Sequence, residues 1–287
     1  MQDPVGKPME KHDDATAVTR SGQSIFMSVY KTKVADQCWL ITITWCKNML
    51  LHGLSVSIDG PQAESTCKFE LKPWYFWRKQ GSKSFVLDHK AIDVFWDLKS
   101  AKFHGETEPI SEYYVAVVYD DEVVLLLGDL KKDAYRKTGC RPALIDPVLV
   151  SRKEHVFGKK KFITRVKFHE KGRFHEISIE SKNTSSTDHG VDSEMEIRID
   201  GHLMIHVKHL QWKFRGNQSV NLKNAKLEVY WDVHDWLFNN GLRHALFIIN
   251  STAPVAFPAT SLPETPLSSE SSGLYEFCLF LFAWKVE

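Results

Sequence analysis

Apolar and polar residues alternate along most of this chain with a period of two. Leu203, Ile205 and Val207 share one side of a run whose other side carries Met204, His206 and Lys208, which is the pattern of a half-buried strand. Similar runs occur at Ile25–Val34, Cys38–Cys46, Ser57–Gly60, Cys67–Lys72, Tyr113–Tyr119 and Glu122–Gly128. A second series lies at Phe162–His169, Phe174–Ser181, Arg198–Gly201 and His244–Ile249. Short strands broken at this spacing by turn residues predict an all-β fold of antiparallel sandwich or barrel-like halves.

The two series are related. Sliding the chain by 135 positions aligns Trp77–Asp97 with Trp212–Asp232 without a gap, and seven of the twenty-one positions are identical. They include Trp77/Trp212, Gly81/Gly216, Trp96/Trp231 and Asp97/Asp232. About one or two identities are expected by chance, so the reading is an internal duplication. In the first half Tyr113–Tyr119 turns at Asp120-Asp121 into the apolar run Val123–Leu127, a hairpin. The second half has Ser, Thr and Pro-rich sequence there instead, and Phe277–Trp284 follows as the equivalent strand.

Between the halves, Asp129–Thr138 predicts a short helix, with Asp129 as N-cap and Gly139 just past the end. The expected organisation is a disordered tail over 1–22, a first repeat over 23–130, a basic connector over 131–150 and a second repeat over 151–250. A disordered loop over 251–273 and a C-terminal strand over 274–287 complete it. Whether the repeats form two separate sandwiches or one continuous sheet system stays open.

Composition narrows the class. The 287 residues are 43% hydrophobic and 25% charged, with nine tryptophans, which suits a globular chain with sizeable cores. The N-terminus opens on Asp3, Glu10, Asp13 and Asp14 without an apolar stretch, so no signal peptide is expected. Five scattered cysteines without a Cys-x-x-Cys pair fit reduced thiols in a cytoplasmic or nuclear compartment. No apolar run is long enough for a spanning helix. Net charge is +1, yet Lys131–Arg173 holds fourteen Lys or Arg against four acids. Lys131, Lys132, Arg136, Lys137, Lys159, Lys160 and Lys161 are therefore candidates for contact with a partner, an anionic surface or nucleic acid.

Catalytic candidates are few. Strand parity puts Trp96 and Trp231 in the core and Asp97 and Asp232 on the opposite face, where an aspartate near a strand end satisfies backbone donors or pairs with a cation. Asp97, Asp232 and His234 are the alternative acid/base set, if the halves bring them together. His202, His206 and His209 do not suit one metal: positions four apart on a strand stand roughly 13 Å apart. No nucleotide loop or nucleophile motif is present, so no cofactor and no metal is expected.

The stretches Glu70–Trp77, Val94–Phe103, Val124–Lys132, Lys153–Lys160, Leu210–Gln218, Tyr230–Phe238 and Phe277–Glu287 resemble the plant family catalogued as domain of unknown function 868. The resemblance covers about residues 23 to 250 and the C-terminal strand. It implies a plant protein without established chemistry and carries no catalytic residues over. The leading expectation is thus a non-catalytic β-rich binding or interaction module with a protein partner. The alternatives are an enzyme with an acid/base pair where the halves meet, or a binder of small apolar or sugar ligands on exposed tryptophans such as Trp74 or Trp236.

Overall fold

The computed structural model describes residues 24–34, 37–48, 51–60, 66–71, 79–87, 90–168, 172–185, 191–222, 225–239, 243–252 and 277–286. The 1–22 tail, Trp74 and nearly all of the 251–273 loop lie outside them.

The fold is all-β. The first half contributes β1 (Ser24–Val34), β2 (Gln37–Asn48), β3 (Leu51–Asp59), β4 (Thr66–Leu71), β5 (Gln80–Leu87), β6 (Lys90–Asp97), β7 (Tyr114–Tyr119) and β8 (Glu122–Gly128). Then come α1 (Lys131–Thr138), β9 (Arg141–Pro142) and β10 (Val148–Gly158). The second half runs through β11 (Lys161–Val166), β12 (His175–Ser185), β13 (Val191–Ile199), β14 (His202–Val207), β15 (Arg215–Leu222), β16 (Ala225–Asp232), α2 (His234–Phe238), β17 (Arg243–Thr252) and β18 (Phe277–Lys285).

These strands build three sheets. β1–β4 pack over the five-stranded sheet β5-β6-β7-β8-β9, and β15–β18 pack over the four-stranded sheet β11-β12-β13-β14. Strand alternation supplies the inner faces: Trp39, Ile41, Ile43 and Trp45 on β2 in the first core, and Ala245, Phe247 and Ile249 on β17 in the second. Trp96 and Trp231 are buried, one in each core.

The two sandwiches share one large sheet. Its order is β15-β16-β17-β18-β10-β1-β2-β3-β4, so β10 joins the halves, antiparallel to β1 and parallel to β18. Which four strands enter it differs between the halves: the first four in the first, the last four in the second.

Local details follow from turn and cap chemistry. Asp120 and Asp121 both take positive φ, 49° and 60°, the conformation that a two-residue turn between twisted strands requires. Gly139 ends α1 at φ 69°, as a left-handed cap does. The N-cap differs from the sequence expectation: it is Leu130, without a side-chain cap bond. Asp129 is diverted because its Oδ1 accepts the Tyr113 amide at 3.1 Å, tying the helix entry to β7. Ser251 and Thr252, expected in the loop, continue β17.

The aligned segments pair in the same register. Gly81 lies opposite Trp96 and Gln80 opposite Asp97; Gly216 lies opposite Trp231 and Arg215 opposite Asp232.

Candidate functional site

Each strand-terminal aspartate closes its own turn. Asp97 Oδ1 accepts the Lys99 amide at 3.0 Å in the five-stranded sheet. In the nine-stranded sheet Asp232 Oδ1 accepts the His234 amide at 3.1 Å, and Oδ2 accepts Arg215 Nε at 2.8 Å. The ring of His234 is directed elsewhere, with Nδ1 3.2 Å from Asp235 Oδ1 and aromatic contacts to Phe214 and Phe238. No hydrogen bond or ion pair among the described residues links Asp97 to Asp232 or to His234.

Trp236 is 2% exposed. Its ring stacks on Phe162 at 4.8 Å and its Nε1 donates to Ala283 O at 2.9 Å. Instead of forming an exposed ligand platform it seals α2 onto the second core, because the short helix turns Trp236 inward while Phe238 stays half-exposed.

The basic residues fall into two groups. Lys131, Lys132, Arg136 and Lys137 are exposed on α1, which packs on the five-stranded sheet through Ala134. Lys159 and Lys160 occupy the turn after β10, and Lys161 begins β11 in the four-stranded sheet. Arg136 is paired with Asp133.

One member of the first group enters a cleft. Between α1, β8 and the segment 142–147 lies a cavity of about 380 Å³, with Leu125, Leu126, Leu127, Ala143 and Ile145 on its walls. Tyr30, Tyr135, Lys131 and Asp146 also line it. The side chains of Lys131 and Asp146 form no hydrogen bond or ion pair among the described residues. The volume is in the range of small-molecule and peptide sites, and the exposed lining is more polar than apolar.

A second polar group lies inside the junction of the halves. Arg152 and Glu154 are on the face of β10 that its register aligns with Leu279 and Leu281 of the second core and with Ser28 and Phe26 of β1. Arg152 Nη2 donates to Glu154 Oε2 at 3.0 Å, Thr164 Oγ1 donates to the same oxygen at 2.7 Å, and the guanidinium lies 4.2 Å over the Phe26 ring. Glu108 joins them from the loop between β6 and β7. Burial pushes its carboxyl up to about 7, Arg152 pulls it down and the neighbouring Glu154 raises it further. Burial, with Glu108, Tyr30 and Asp129 nearby, also raises the Tyr113 phenol.

A family model described as plant protein of unknown function (DUF868) matches residues 21–285, nearly the whole chain. The chain belongs to DUF868. Comparison with curated proteins and with solved structures finds no match.

In this DUF868 chain His206 and His209 each lie beside an acid of β13. His206 Nε2 is 2.8 Å from Glu194, and His209 Nδ1 is 2.7 Å from Asp192. His155 is the exception in burial, with 7% exposure and neither ring nitrogen hydrogen-bonded. Its ring lies beside Phe282 and Trp284, and burial, then Lys153 and His244, lower its pKa to about 4. No helix of the described DUF868 residues is long and apolar enough to cross a membrane. Sequence reading missed Glu108, Arg152 and Glu154. The signal for Glu154 was the Lys153–Lys160 stretch of the family resemblance, Arg152 lies just before it, and Glu108 is isolated in a loop.

Proposed function

We propose that this DUF868 chain is a non-catalytic binding module, made of two copies of one β unit, whose ligand occupies the cleft beside α1. The observation that carries the reading is the cleft itself: a space of about 380 Å³ lined by Leu125, Leu126 and Leu127 and by Lys131 and Asp146, whose side chains pair with no other described residue. Opposite charges left free by the other described residues are suited to fixing the orientation of a ligand that also rests on the β8 leucines. The shared register of Gly81/Trp96 and Gly216/Trp231 supports the two-copy description. Ligand-observed NMR on the protein and on an Ala143→Phe variant that fills the cleft tests the proposal. Ligands that bind the parent and are lost from the variant, with its urea midpoint unchanged, support it. If every ligand found binds both proteins equally, or none binds, the reading falls.

Glu108 favours a second reading, in which the junction carries acid/base chemistry. A carboxyl that titrates near neutrality beside a cation-held carboxylate has the divided environments that such pairs use. Turnover of any substrate in a hydrolase and isomerase panel that Glu108→Gln abolishes supports that reading; turnover untouched by the substitution removes it.

A further inference from the structure

The cleft wall is formed in an unusual way. Leu125, Leu126 and Leu127 are consecutive on β8, so their side chains alternate between the two faces of the sheet, and yet all three line the cleft. A wall built from three successive strand residues is a strand edge, with its backbone facing the space.

β8 is the last full strand of its sheet. Beyond it only β9 pairs, two residues long and parallel, opposite Glu122 and Val123. The ladder ends where the Ala143 amide donates to Val123 O at 3.2 Å. The chain then turns off through Leu144, which is 95% exposed, towards Pro147, and neither Pro142 nor Pro147 has an N–H to extend the pairing. From Val124 to Gly128 the outer edge of β8 has no strand partner among the described residues. Val124-Leu125-Leu126-Leu127 contains no charge and no proline, two of the devices that ordinarily blunt an exposed edge, and the one such device β8 carries is a bulge against β7.

We propose that an extended peptide segment of a partner protein adds to this edge as a strand, taking over where β9 stops. The proposal rests on the cleft being the binding site and names its occupant. Five residues of β8 at roughly 3.3 Å each give about 17 Å of edge, room for four or five partner residues. Backbone pairing supplies the affinity of such additions, and flanking pockets and charges select the sequence. Here Leu125, Leu127, Ala143 and Ile145 take alternate apolar side chains, Lys131 takes an acidic residue and Asp146 a basic one.

The test is phage display of random decapeptides on the full chain. Enriched peptides are then synthesised with and without N-methyl groups on alternate amides, and hydrogen exchange is read at Leu125–Gly128. Expected are peptides of alternating apolar residues with one acidic and one basic position. Methylating one alternate set of amides weakens binding at least tenfold while the other set is tolerated, and the bound peptide slows exchange at Leu125–Gly128 at least tenfold. The double variant Lys131→Glu with Asp146→Lys prefers the reversed charge order. Failure to enrich any peptide overturns the proposal, as does binding that survives methylation of either set. Protection of the same amides that grows with protein concentration alone assigns the edge to a second copy and also overturns it. Small molecules or methylated peptides bound in the cleft without protecting β8 sink strand addition and leave the binding-module reading standing; a cleft that accepts neither sinks both.

Discussion

Substituting Gly216 by alanine should destabilise the protein through a single side chain, the indole of Trp231. Gly216 sits directly across from Trp231 on the neighbouring strand. A β-carbon there would lie 2.9 Å from Cε2 and 3.0 Å from Cη2 of that ring, and closer still to Cζ2. Ordinary carbon contacts are about 3.5–4.0 Å, so the ring would have to retreat by roughly an ångström. It is poorly placed to do so: Nε1 donates to Lys213 O at 3.1 Å, and the ring is 8% exposed in a core with Val229, Trp236 and Phe247. Two effects oppose each other. Alanine restricts the unfolded chain and stabilises by about 0.4–1 kcal/mol, whereas overpacking costs about 1–3 kcal/mol. The expected net loss is about 1–2 kcal/mol, read from urea unfolding by far-UV circular dichroism with an unchanged m-value. In a Trp231→Phe background the obstructing part of the ring is gone, so the alanine should cost nothing or stabilise slightly, a coupling of about 1 kcal/mol or more. Equal cost in both backgrounds, or a Gly216→Ala protein as stable as its parent, would refute the reasoning. Gly81→Ala should follow with the same sign and a smaller size, since its nearest Trp96 atom is 2.8 Å away and the next two are 3.3 and 3.4 Å.

Three further outcomes are expected. Because the Glu108 carboxyl is raised to about 7 in the folded protein, the native state binds the extra proton between the ordinary glutamate range and neutrality, so this group's contribution to stability falls as pH rises through that window. Glu108→Gln should therefore stabilise by about 1–3 kcal/mol at pH ~8 and little at pH ~4.5; urea midpoints that shift equally at both pH values would contradict this. His155 works with the opposite slope: with its pKa lowered to about 4, the unfolded chain takes the proton first, and stability drops as pH falls from the ordinary histidine range. His155→Phe should flatten that acid limb in the same assay, and an unchanged slope would remove His155 as its cause. Deleting Leu274–Glu287 removes β18 from between β17 and β10 and should abolish cooperative thermal unfolding, so a truncated chain that still melts in one sharp transition would count against the role given to that strand.

Much of the fold was legible because a strand's period is short. Alternation alone placed Trp96 and Trp231 inside, and it found the Asp120-Asp121 hairpin and β18. The union of the two sandwiches was not legible, because the alternation within β10 does not say that its neighbours are β1 and β18. Asp129 was misplaced as a cap because the competing donor, the Tyr113 amide, comes from another strand. A five-residue helix has too few positions to show a face, which hid the burial of Trp236. Glu108 acquires its unusual environment from a loop folding against β10, a contact that no local pattern announces.

The position of β18 also sets an order of events during synthesis. Every buried member of the first core precedes residue 144, so that sandwich can close while the nascent chain is still being extended. The second core needs Phe277, Leu279, Leu281 and Ala283. Until the ribosome has delivered them, β10 and β17 wait with bare flanks, and that interval is when a chaperone has the most to protect.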